Sequence, residues 1–176
     1  MESKVKLLGH PIHPMLVMFP IALLSTAVLF DALYLMTGAG DFARFAFWSI
    51  SVGLAVGLGA ALFGLIDWLA VRPGTRAKRV GAWHGLGNVV VVLLFVVSWA
   101  TRLGDLEYAP GILPFVLGLI GLGIALVTAW LGGELVYRLR IGVDDDAHAD
   151  APSSLGGSVP DATETARDSG RPARVT

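Results

Sequence analysis

Residues Met15–Met36 read MLVMFPIALLSTAVLFDALYLM, with Asp31 as the only charged side chain. Crossing a hydrocarbon core of about 30 Å takes roughly 20 helical residues, and this run is long enough. Lipid offers the backbone no hydrogen-bond partners, so a single spanning segment must be a helix. Three further runs of the same kind follow at about 45–71, 83–101 and 112–137. The links between them are short, which favours antiparallel neighbours. The expected fold is an all-α integral membrane protein, with four transmembrane helices in an up-down bundle.

Composition agrees with that reading. Of 176 residues, 55% are hydrophobic and only 15% charged, and mean hydropathy is +0.69. Soluble domains carry about 25% charged residues. There is no broad basic surface for nucleic acid. The chain has no cysteine, which excludes disulfides, thiolate metal sites and iron–sulfur clusters held within it. Lys4 and Lys6 resemble the start of a signal peptide. The apolar core behind them exceeds the usual length of about 7–15 residues and contains Pro20 and Asp31, so the first span reads as a retained helix.

Charge sets the expected orientation. Lys4, Lys6, Arg72, Arg76, Lys78, Arg79, Arg138 and Arg140 fall on one side of the bundle, against Arg44 and Arg102 on the other. Eight against two places both termini in the cytoplasm. Three parts are expected: a cytoplasmic N-terminal arm at 1–14, a transmembrane domain at 15–140, and a cytoplasmic tail at 141–176. The tail opens with Asp144-Asp145-Asp146 and has few large apolar residues. It reads as disordered, with His148 a solvated tail histidine.

With that orientation, the polar residues gather at the cytoplasmic leaflet. His10 and His13 of the stretch GHPIHP stand before the first span, and Asp67 lies near the inner end of the second. His84 and Asn88 lie in the first turns of the third, and Glu134 near the end of the fourth. Ionisable residues within a span are costly, face the bundle interior and need partners. Residues before proline are driven from the helical region. GHPIHP therefore reads as a stiff arm over the mouth of the bundle, with Pro14 at the first helical position and His13 at its cap. His84 and Asn88, four apart, share a face. Gly53, Gly57, Ala60, Gly64 and Asp67 form a small-residue stripe suited to close helix approach, and Gly121, Ala125, Thr128 and Gly132 form another. Asp31 is expected to be solvated at the outer interface.

Three readings of the cluster stay open. It is a metal site, with His10, His13, His84, Asp67 and Glu134 as candidate ligands for Fe, Zn or Mn and Asn88 as a supporting donor. It is a b-type haem site, with axial ligands drawn from His13, His84 and His10. Or it is a polar clasp that fixes helix register in a structural or assembly subunit. A small ion or proton transporter is disfavoured by the apolar outer half. The tryptophans near span ends read as an interfacial belt.

GHPIHP, the aspartate in LIDWLA, WHGLGN and WLGGELVY together resemble a bacterial membrane family catalogued as domain of unknown function 2231. The resemblance covers about residues 7–140 and includes His10, His13, Asp67, His84, Asn88 and Glu134. It implies a four-helix membrane domain whose activity is not established. Relatives joined to Rieske-type iron–sulfur domains imply a role in membrane electron transfer. Without cysteine, this chain would need a Rieske-type or other redox partner on a separate polypeptide. The other partner expected is the lipid bilayer, and self-association in a homo-oligomer is left open.

Overall fold

The computed structural model describes residues 1–155; most of the expected tail, 156–176, lies outside the described residues. Four long helices run antiparallel: α1 (Ile12–Thr37), α2 (Gly40–Ala70), α3 (Arg76–Ala100) and α4 (Ile112–Gly133). The last continues as a π-helical turn over Glu134–Arg138. All four are long and apolar enough to span a membrane. α1 packs chiefly on α2 and α3 on α4, so two hairpins pair to make the bundle. Met1 and Arg140 meet at one end, where the Met1 amine donates to the Arg140 carbonyl at 3.2 Å. We call this the proximal end and the other the distal end.

The helix limits follow from local chemistry. α1 begins earlier than its apolar run suggests, with Pro11 in extended geometry as its cap. His13 and Pro14 therefore both lie in the first turn, where a missing proline N–H costs nothing. Gly38 ends α1 in the left-handed conformation (φ 71°) and donates its N–H to Tyr34, the usual glycine stop. Arg76, Lys78 and Arg79 form the first turn of α3, because the Thr75 hydroxyl caps it by accepting from the Lys78 N–H at 3.2 Å, while Arg72 stays in the link. The arm before α1 is a short antiparallel ribbon of β1 (Lys6–Leu7) and β2 (His10–Pro11). Leu8 and Gly9, with φ of 51° and 84°, make the tight turn that such a ribbon favours.

Both small-residue stripes are packing faces. On α2, an added Cβ at Gly53 would stand 3.0 Å from Leu24 of α1, and one at Gly57 3.4 Å from Pro20. On α4, a Cβ at Gly121 would stand 2.8 Å from Phe95 of α3. Between the bundle ends lies an apolar layer that includes Leu24, Val28, Ile50, Leu54, Val91 and Phe95. Leu58, Leu62, Leu93 and Leu126 point outward, as lipid-facing side chains do.

The distal end corrects one expectation. Asp31 is not solvated: it is 1% exposed, and Arg102, counted with the outer connection, is 0% exposed. The guanidinium donates to both carboxylate oxygens, Nη1 to Oδ1 at 2.6 Å and Nη2 to Oδ2 at 2.7 Å. Its Nε donates to the Ser98 carbonyl, and the Ser98 hydroxyl donates to the Pro114 carbonyl. The chain after α3 turns back on itself to bring Arg102 inside, which charge counting over loops could not reveal.

Candidate functional site

The polar residues of the proximal end divide into two groups. His13 on α1 and His84 on α3 approach across the bundle, with ring centres 6.3 Å apart and planes nearly perpendicular at 86°. Each ring reaches the backbone of the helix it packs against. His13 Nδ1 lies 2.8 Å from the Ala60 carbonyl of α2, and His84 Nδ1 lies 2.8 Å from the Thr128 carbonyl of α4. A carbonyl can only accept, so both Nδ1 atoms carry a proton, and in the neutral ring Nε2 is the nitrogen that holds the lone pair. His84 Nε2 accepts from Asn88 Nδ2 at 3.3 Å, and the Thr128 hydroxyl donates to Asn88 Oδ1 at 3.1 Å. His13 Nε2 has no hydrogen-bond partner among the described residues.

Glycines make this approach possible. An added Cβ at Gly64 would fall 2.7 Å from His13 Cε1, and one at Gly132 would fall 3.3 Å from His84 Cε1. At Gly87 it would meet the Thr128 methyl at 2.5 Å. The two stripes thus end in seats for the imidazoles. Thr128, which reads in sequence only as part of a packing stripe, joins the cluster through both its carbonyl and its hydroxyl.

The second group points elsewhere. Asp67 accepts from the Ser3 hydroxyl at 2.7 Å and from the Lys4 N–H at 2.6 Å, so it holds the N-terminal arm. Glu134, turned toward α3 in the π-helical segment, pairs with Arg76 at 2.7 Å. His10 is exposed on the ribbon, with Nδ1 3.2 Å from its neighbour carbonyl at Leu8. His148 accepts from the Asp150 N–H at the surface. Of the six expected site residues, the structure brings His13, His84 and Asn88 together and engages Asp67, Glu134 and His10 in other contacts. No group of three or more His, Asp or Glu side chains is set to hold a metal ion among the described residues. A haem macrocycle does not fit this packing. The glycine faces at the pair, Gly64, Gly132 and Gly87, are filled by the two imidazoles and the Thr128 methyl.

An apolar four-helix bundle with its polar clusters at the two ends defines a small multi-pass membrane protein. The chain belongs to the family described as predicted membrane protein, DUF2231, whose model matches residues 9–145. That range opens on GHPIHP and takes in the whole bundle. No curated protein and no solved structure matches the chain.

Proposed function

We propose that this protein binds a metal ion at its His13–His84 pair, at the cytoplasmic leaflet of a bacterial inner membrane, in a redox role. One observation carries the reading: both imidazoles donate Nδ1–H to a backbone carbonyl and keep Nε2 as a base. Metal-ligating histidines are oriented in this way, with the second nitrogen tied to a carbonyl or carboxylate. With ring centres 6.3 Å apart, His13 and His84 are the side chains that would hold the ion between α1 and α3. The imidazole pair suits Zn, Fe or Cu. An ion there would supply a Lewis acid or, for iron and copper, a one-electron centre. The Ala60 and Thr128 carbonyls hold the rings, and Asn88 is the group that must release His84 Nε2. Asp67, Glu134 and His10 stay outside the ion's ligands. Electron transfer rests on what the family resemblance implies, with the redox partner on another chain. The eight basic residues of the proximal end support cytoplasmic termini.

A second reading has its own observation. The chain Thr128–Asn88–His84 closes on itself, as a polar clasp would, and such interhelical bonds hold a bundle without any ion. Elemental analysis and absorption spectra of detergent-purified protein separate the two. The proposal expects a stoichiometric ion that is lost in both His13→Ala and His84→Ala while helical content is kept. A folded protein that takes up no ion, or an ion indifferent to His84→Ala, overturns it in favour of the clasp. A Soret band that shifts with dithionite would mean haem and overturn it as well.

A further inference from the structure

The N-terminal arm is joined to the bundle in an uneven way. Ser3 is buried, at 7% exposure, while Leu7 and Leu8 at the ribbon tip stand open to solvent at 54% and 68%. The arm therefore buries little apolar surface. To the segment after α4 it is tied by ion pairs of the Met1 amine with Asp145 and of Lys6 with Asp144, which water and salt weaken, and by hydrogen bonds of Met1 with Arg140 and Gly142 and of Leu8 with Ser154. Its hydrogen bonds to α2 are both on Asp67: one carboxylate oxygen takes the Ser3 hydroxyl and the other takes the Lys4 N–H. Asp67 is also the next member, below Ala60 and Gly64, of the α2 stripe that seats His13. Arm and histidine thus share one track on α2, and the Ile12 N–H to Val5 carbonyl bond (3.1 Å) joins them.

We infer that Asp67 is the latch of an N-terminal strap, and that unlatching opens the His13–His84 pair to a metal ion from the proximal side. The second half rests on the proposed ion site; the first does not. Segments with few apolar contacts and exposed hydrogen bonds open locally at low cost, and here one side chain supplies the hydrogen bonds that tie the arm to α2. His13 lies two residues beyond the ribbon and presents a lone pair without a partner among the described residues.

The absence of cysteine gives a clean test on the full chain in lipid nanodiscs. Val5→Cys places a half-buried thiol in the strap, and its rate of modification by a charged maleimide reads strap opening. Asp67→Ala is expected to raise that rate at least tenfold. Asp67→Asn, which keeps one oxygen as acceptor, is expected to fall between. Equal rates in all three proteins, with helical content unchanged, overturn the latch. Cobalt(II) absorption then follows ion entry by stopped flow. Asp67→Ala is expected to speed binding at least tenfold and retain the bound spectrum. Unchanged entry rates overturn the gating role, and loss of cobalt binding in Asp67→Ala alone shows Asp67 to be a ligand and overturns it too. No cobalt binding in any version would sink the ion site, while the thiol rates still decide the latch.

Discussion

Arg102 and Asp31 stand 71 positions apart in the chain, yet they form a two-pronged ion pair sealed inside the distal end of the bundle. Removing one member of a buried pair strands the other charge, at a cost of about 3–5 kcal/mol. Asp31→Asn should therefore lower stability by that order in a detergent unfolding titration. The double variant Asp31→Leu/Arg102→Met should recover most of the loss, since replacing a buried pair with apolar groups is often neutral. A single variant as stable as the parent would mean that the pair is not closed in the membrane.

Gly64 should tolerate nothing larger. In Gly64→Ala the new methyl lies 2.7 Å from the His13 ring, so the ring must leave its seat and its bond to Ala60. Overpacking of this kind costs about 1–3 kcal/mol, and ion binding should weaken at least tenfold. Gly59→Ala is the matched control, because a Cβ there meets nothing within 4 Å. Equal ion content in the two variants would remove Gly64 from the site.

Asn88→Ala separates the ion reading from the clasp. It deletes the donor to His84 Nε2 and the acceptor for Thr128, and should cost about 0.6–2 kcal/mol in stability. Ion content should be kept, since the lone pair on His84 is now uncontested. Loss of the ion at full helical content would show Asn88 itself to be a ligand.

Lys6 gives the strap a defined alkaline limit. The hydrogen bonds that its ammonium donates to the Asp144 carboxylate, and then to Glu2, hold it above the ordinary value of 10.5. A raised value in the folded state means that the contribution is complete below the unfolded value and is lost as pH climbs through the folded one. Strap protection, read through the Val5→Cys thiol with rates corrected for thiolate fraction, should be flat through neutral pH. The share owed to Lys6 should vanish only above its ordinary range. Lys6→Met should abolish that alkaline step, and a step that persists would have another origin.

The spans and their antiparallel order were legible because a lipid-crossing helix must be long and apolar, a requirement that composition alone reveals. The stripes were legible too, since small residues at spacings of three and four can share one helix face. Gly53, Gly57 and Gly64 do meet α1. What sequence could not supply was direction. Asp67 and Glu134 share the proximal end with the histidines, but depth does not say which neighbour a carboxylate faces. Asp67 turned to the arm, and the π-helical turn swung Glu134 to Arg76. Arg102 was hidden for a related reason. A loop arginine is ordinarily solvated, and only the fold of the segment after α3 puts it beside Asp31.

The apolar layer between the histidines and the Arg102–Asp31 pair has an electrical meaning. With Val91, Phe95, Ile50 and Leu54 closing the middle of the bundle, no chain of ionisable groups connects the two faces among the described residues. Protons and electrons exchanged at His13 and His84 would enter and leave by the same face. Chemistry at that end would then neither build nor spend a transmembrane voltage, and turnover in sealed vesicles would be blind to an imposed potential.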